Sequence, residues 1–284
     1  MVSLQTPPDV RGVTHEWVDA AGLRTHVALA GPPDGPPILL VHGWPQNWWA
    51  WRHLIPSLAT TRRVICPDLR GHGWSDAPEH GYEKEQLATD LLALLDAMGV
   101  ERVTWVGHDW GAGAGLIAAL RAPDRLERLF PLAFPHFWAR GFDPRRLALL
   151  GYQVPISLPV VGRTAARRLP PAMLKAGRAK GGRFTDEELE TYTAPLRARP
   201  QGTVGLYRTF ITRELVPWLR GRYADQRLEV RTTCLIGEKD LVTATLEPGP
   251  VANQPELEVD VVDGAGHWLL DEAPETVLAV VTAG

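Results

Sequence analysis

Asp109 stands midway between two glycines in Trp105-Val106-Gly107-His108-Asp109-Trp110-Gly111-Ala112-Gly113. The apolar run Arg102–Val106 precedes it, and a small-residue segment from Ala112 to Leu120 follows. A residue set on a sharp strand-to-helix turn needs glycines at that spacing, because the backbone closes on itself there. The residue usually offered on such a turn is serine; here it is a carboxylate. A carboxylate attacking an acyl carbon yields only an unstable anhydride. At an sp3 carbon bearing a leaving group it yields an alkyl ester, which persists until water hydrolyses it. An Asp that merely caps a helix leaves the same local pattern, so the turn alone keeps both readings open.

Hydrolysis of such an ester calls for a base, a group that orients the base, and donors for the oxyanion. In the chain order nucleophile, acid, base, the base belongs in the loop after the last strand. Gly264-Ala265-Gly266-His267-Trp268 supplies His267 there. The orienting acid belongs after the preceding strand, where Gly237-Glu238-Lys239-Asp240 offers Asp240, with Glu238 less favoured. The other place for an acid, Pro135-His136-Phe137, has no carboxylate. For the oxyanion, one donor is the amide of Trp110. The second is the amide of Trp44, in the loop His42-Gly43-Trp44-Pro45. Trp44, Trp48, Trp49, Trp110 and Trp268 suggest an aromatic-rich mouth, with Trp44, Trp110 and Trp268 touching substrate. Nothing in this chemistry calls for a metal or a cofactor.

Strands and helices must alternate to put these groups on one edge. His15–Ala20 and Leu23–Leu29 alternate in polarity across Ala21-Gly22, a hairpin pattern. Ile38–Val41, Val64–Cys66 and the run before Asp109 are continuous apolar stretches, as in strands buried on both faces. Between them, Trp48–Leu58 and Glu83–Met98 carry apolar residues at helical spacing. Leu129–Phe134, Thr232–Gly237 and Leu257–Val262 complete the strands, and Pro274–Val281 reads as a final helix. The alternation breaks from about 135 to 224, where short helices such as Thr185–Tyr192 are expected. The fold class is therefore α/β: a mostly parallel sheet flanked by helices, built from 1–134 and 225–284, with 135–224 inserted as a helical cap. Reactive groups of an open α/β sheet lie beyond the carboxyl ends of its strands. That is where Asp109 falls, under the expected cap.

The composition excludes several classes. The chain has 284 residues, 45% hydrophobic and 22% charged, with a formal net charge of −3, which gives no basic surface for nucleic acid. No apolar run reaches membrane-spanning length, and Met1–Val10 lacks a signal pattern. Cys66 and Cys234, both on expected strands, read as buried thiols in a reducing compartment, so a cytoplasmic location is expected. The oligomeric state is not readable.

The chain resembles the α/β-hydrolase-fold epoxide hydrolases over essentially its whole length. The resemblance rests on His42-Gly43-Trp44-Pro45 with Trp48 and Trp51-Arg52, Pro67-Asp68-Leu69-Arg70-Gly71, Gly107-His108-Asp109-Trp110-Gly111 and Gly264-Ala265-Gly266-His267. It implies hydrolysis of a small apolar epoxide by water, giving a vicinal diol through an ester on Asp109. It also implies two cap tyrosines that bind the epoxide oxygen and protonate it. Gly151-Tyr152-Gln153, followed by Leu158-Pro159, resembles the first setting, and Gly205-Leu206-Tyr207-Arg208 the second. There Leu206 replaces an aromatic residue and Thr209 an asparagine. A phenol suits the task, since it stays protonated at neutral pH and can donate to an alkoxide. Several of these motifs are shared with haloalkane and fluoroacetate dehalogenases. A dehalogenase would instead hold its halide with two side-chain N–H donors, for which Trp110 and Trp44 are candidates. A non-catalytic hydrolase-like receptor is the third reading.

Overall fold

The computed structural model describes residues 6–138, 150–158, 160–179, 184–243 and 248–283. Strands β1 (Val13–Ala20) and β2 (Leu23–Ala30) form the expected hairpin. Its turn residues, Ala21 and Gly22, both take left-handed φ, 49° and 77°, which a two-residue hairpin turn requires. The remaining strands are β3 (Pro37–Val41), β4 (Arg63–Pro67), β5 (Val103–His108), β6 (Leu126–Leu132), β7 (Thr232–Gly237), β8 (Gly249–Val251) and β9 (Gln254–Val262). They join β1 and β2 in one sheet of order β1-β2-β4-β3-β5-β6-β7-β9-β8. Pairing is parallel from β4 through β9 and antiparallel at both margins. β3 and β5 sit at the centre, and all six residues of β5 are buried. This is an α/β-hydrolase fold. Both cysteines are buried free thiols. No helix among the described residues is long and apolar enough to cross a membrane.

Two expectations shift. Trp48–Leu58 is not one helix but a 3-10 turn, Trp48–Trp51, followed by α1 (Ile55–Leu58). Pro56, with no N–H to donate and a fixed φ, sits in the first turn of α1, so the helix starts afresh there. The strand expected at Leu129–Phe134 runs instead from Leu126 and stops at Leu132, because Ala133 turns to a φ of 51°.

Helices α2 (Lys84–Ala97) and α3 (Trp110–Arg121) pack on the sheet. The small residues of α3 allow a close approach. A Cβ on Gly111 would lie 2.3 Å from the Val41 carbonyl oxygen, and one on Gly107 would lie 2.4 Å from the Gly111 oxygen. Backbone cannot rotate aside as a side chain can. Gly111→Ala is therefore expected to destabilise the fold by about 1–3 kcal/mol and to disturb Asp109. A thermal melt unchanged from wild type would show that α3 can slide off the strand at no cost.

Between β6 and β7 the described chain is helical: α4 (Gln153–Ser157), α5 (Gly162–Arg168), α6 (Pro170–Ala176), α7 (Asp186–Ala198) and α8 (Pro200–Thr209). A π-helical turn, Phe210–Glu214, and α9 (Leu215–Leu219) follow. The helix expected at Thr185–Tyr192 is α7. Thr185 is its N-cap, forming a reciprocal capping box with Glu188. α8 sits directly on the loop after β4, since a Cβ on Gly202 would meet the Gly71 oxygen at 2.2 Å. That contact brings Tyr207 over the sheet's carboxyl edge. The chain ends in α10 (Leu269–Glu272) and α11 (Pro274–Ala283).

Candidate active site

β5 ends at His108, and Asp109 turns the chain into α3 with φ 49° and ψ −115°. A non-glycine residue in that region is strained and persists only where its surroundings hold it. The flanking glycines let α3 close onto β3, and the Asp109 amide donates to the Leu132 oxygen at 3.0 Å. The Trp44 amide donates to Asp109 Oδ2 at 3.0 Å, and the Trp110 amide also reaches this carboxylate. Gly43 makes this possible, because a Cβ there would lie 2.5 Å from the Asp109 Cβ. Burial pushes the Asp109 carboxyl up to about 6, against the pull of His267 and the two amides.

His267 and Asp240 meet as the sequence order suggests. His267 Nδ1 lies 3.1 Å from Asp240 Oδ2, which leaves Nε2 as the basic atom. Asp240 also accepts from the Val242 amide at 2.9 Å and the Thr243 hydroxyl at 2.6 Å. Burial alone would raise Asp240; the His267 ring and these donors hold it below the usual carboxylate range. Burial alone would lower His267, but Asp240, joined by Asp109 and Glu272, lifts it to about 9. Glu238, the less favoured acid, accepts from the Gly264 amide at an exposed position and orients no imidazole.

Tyr152, in the turn ahead of α4, and Tyr207, on α8, come together with their hydroxyl oxygens 3.2 Å apart. Their rings pack on Trp44, Tyr152 stacked at 5.9 Å and Tyr207 edge-on at 5.0 Å between centroids. Trp110 meets Tyr207 edge-on at 5.7 Å. Burial pushes Tyr152 up to about 12 and Tyr207 well above its usual value, and the charge of Asp109 raises both. Both phenols are thus protonated donors at neutral pH, close enough to Asp109 to feel its charge. Of the two nearby indoles, that of Trp44 is taken: its Nε1 donates to Thr203 Oγ1 at 3.1 Å.

The α/β hydrolase fold family matches residues 36–153. Epoxide hydrolase A of Mycobacterium tuberculosis is 32% identical to the chain, over 94% of this chain and 96% of that protein. The chain belongs to the α/β-hydrolase-fold epoxide hydrolase family. Among solved structures, epoxide hydrolase A from Mycobacterium thermoresistibile superposes with a TM-score of 0.78 at 28% identity, covering 95% of this chain and 97% of that one. Cfl2 from Burkholderia cenocepacia reaches 0.84 at 24% identity, with 98% of each chain covered, a likeness of fold.

Three tryptophans of this epoxide hydrolase family member do not stand where composition suggests. Trp48 is fully buried against His15 and His26, toward the β1–β2 hairpin. Trp49 lies under the Arg52 guanidinium, 3.9 Å away, beside Tyr192. Trp268, expected to touch substrate, packs edge-on against His267 at 4.6 Å, and its indole donates to the Leu174 oxygen at 2.8 Å. Its apolar neighbours form a different cluster from the one shared by Trp44, Trp110, Tyr152 and Tyr207. The ring is spent on holding the His267 turn to α6.

Other residues at the site carry no sequence signal. His108 Nε2 donates to the His267 carbonyl oxygen at 2.8 Å, and burial pushes its ring down to about 3, so it stays neutral. Lys84 places its ammonium between the rings of Trp110 and Phe210, at 4.4 and 4.3 Å. Glu214 pairs with that ammonium at 3.1 Å and takes the Lys84 amide at 2.9 Å, tying α2 to the π-helical turn. Pro159, part of the first tyrosine's expected setting, lies outside the described residues, as do 139–149 of the expected cap.

Proposed function

We propose that this protein hydrolyses a small apolar epoxide to a vicinal diol in two half-reactions. Asp109 attacks a ring carbon, and the breaking C–O bond leaves its electrons on the epoxide oxygen, which Tyr152 and Tyr207 hydrogen-bond and protonate. The product is a hydroxyalkyl ester on Asp109. His267, oriented by Asp240, then takes a proton from water as it attacks the ester carbonyl. The tetrahedral intermediate collapses by breaking the bond from the carbonyl carbon to the alkyl oxygen, and the departing diol takes the proton of the new carboxyl group. The proton on His267 returns to the phenol that gave one up, which restores the Asp109 carboxylate. The Trp44 and Trp110 amides, which hold the carboxylate in the free enzyme, stabilise the tetrahedral oxyanion. The helices between β6 and β7 act as the cap, with Tyr152 and Tyr207 as its contribution to the chemistry.

The observation that carries this reading is the pair of phenol oxygens 3.2 Å apart near Asp109. Two donors at that separation can share one oxygen acceptor. A halide site in the same place would draw on the indoles of Trp44 and Trp110, and that of Trp44 already donates to Thr203. The dehalogenase reading is thereby weakened. A binding module would have no use for an imidazole tuned by a buried carboxylate beside a strained Asp.

A single turnover of styrene oxide in oxygen-18 water tests the route. The first diol should be unlabelled, its new oxygen coming from Asp109, and the peptide containing Asp109 should gain the label. Label in the diol at that stage would mean direct attack by water and would end the ester mechanism.

A further inference from the structure

The turn that bears His267 is gripped from outside by a single carboxylate. Glu272, in α10, takes three backbone N–H bonds. Its Oε1 accepts from Trp268 at 3.1 Å, and its Oε2 from Gly266 at 3.2 Å and Ala179 at 2.8 Å. Trp268 and Gly266 flank His267. Ala179 belongs to the chain just after α6, in the helical region between β6 and β7. That same stretch answers with two bonds of its own. The His267 amide donates to the Gly177 oxygen at 2.8 Å, and Trp268 Nε1 to the Leu174 oxygen at 2.8 Å.

The two segments touch so closely that each must be glycine at the contact. A Cβ on Gly177 would lie 2.7 Å from Trp268 Nε1, and one on Gly266 would lie 2.6 Å from the Gly177 oxygen and 2.7 Å from the Ala179 nitrogen. Three converging N–H groups leave room for an acceptor only. An ionised carboxylate accepts at both oxygens, whereas an amide side chain would turn an NH₂ toward one of the donors.

We propose that Glu272 is a positioning residue for the hydrolytic half-reaction: it ties the Gly177–Ala179 segment to the backbone on both sides of His267 and so fixes where the imidazole can receive the proton of water. The proposal rests on the reading of His267 as the base. None of these bonds reaches Asp109, Tyr152 or Tyr207, so ring opening proceeds without them.

The carboxylate also acts through its charge. The groups that face the His267 ring are Asp240 at Nδ1, Asp109, Glu272 and the neutral His108. Asp240, Asp109 and Glu272 favour the protonated ring. Neutralising Glu272 lowers the His267 pKa, so the free base appears at lower pH.

The test uses full-length Glu272→Gln with styrene oxide, following ester formation and decay by rapid quench and intact mass. Ester formation should stay within about twofold of wild type. Its hydrolysis should slow about ten- to a hundredfold, as expected for a catalytic group displaced by roughly 1 Å, so the adduct should accumulate in the steady state. The acid limb of the hydrolysis rate should move to lower pH. Glu272→Asp keeps the charge but shortens the reach, so it should slow hydrolysis without moving that limb; it also decides the matter if the Gln variant does not fold. Wild-type ester hydrolysis in both variants, or equal slowing of both half-reactions, would overturn the proposal. Wild-type ester hydrolysis in His267→Gln would overturn the reading of the base beneath it.

Discussion

His267→Gln is expected to stall as its own ester. The substitution leaves Asp109, the two phenols and the two oxyanion amides in place, so the first half-reaction keeps its machinery. On the proposed mechanism it removes the proton acceptor for water, and loss of a general base costs about 10²–10⁴-fold. Intact mass should show the protein increased by one substrate, with turnover falling by that factor. In the free enzyme His267 lies at about 9, held up partly by the Asp109 charge, and Asp109 lies at about 6. Ester formation therefore falls away as pH drops through about 6 and the nucleophile is protonated. Once the ester forms, Asp109 is neutral and one support of the His267 proton is gone. The imidazole pKa then drops below its free-enzyme value, which delivers a base when the second step needs one. Hydrolysis in the wild type should rise with pH through that lowered value, and His267→Gln should lack the rise. Wild-type turnover by His267→Gln, with no adduct, would remove His267 from the mechanism.

How much of this was readable from the sequence depends on the range of the forces involved. The placement of Asp109 on the turn was legible because a tight strand-to-helix turn imposes glycines two residues away on each side, a purely local demand. The meeting of His267 with Asp240 was legible through chain order, since each follows a strand whose apolar run is unmistakable. The Lys84–Glu214 pair was not. Its members lie 130 residues apart in sequence, and their meeting is set by how the π-helical turn docks on α2. Glu272 was hidden for the same reason, because its most informative bond reaches 93 residues back, to Ala179. The tryptophans failed differently. Composition places an indole inside but does not say on which side of the chain, and Trp48 turned to His15 and His26 while Trp44 turned to the tyrosines. β8, three residues at the sheet's margin, is too short to show any periodicity.

Tyr152→Phe combined with Tyr207→Phe is expected to block ester formation almost completely, and this double variant separates epoxide from halide chemistry. On the proposed mechanism, ring opening builds charge on one oxygen between the two hydroxyls. Each hydroxyl lost costs about 2–4 kcal/mol in the transition state, roughly 30- to 1000-fold in rate. A single substitution leaves one donor, and the 3.2 Å separation means the survivor needs little movement to face the oxygen alone. Each single variant should therefore retain measurable diol formation, and the double variant should lose far more than either. Folding should be little changed, since Phe fills the same space beside Trp44. The dehalogenase alternative predicts the opposite, because a halide departs without a proton and without a phenol. Diol formation and halide release should be measured side by side on wild type and double variant. Epoxide opening retained in the double variant would take both tyrosines out of the mechanism. Halide release by the wild type, with no diol from any epoxide tried, would assign Asp109 to carbon–halogen bonds instead.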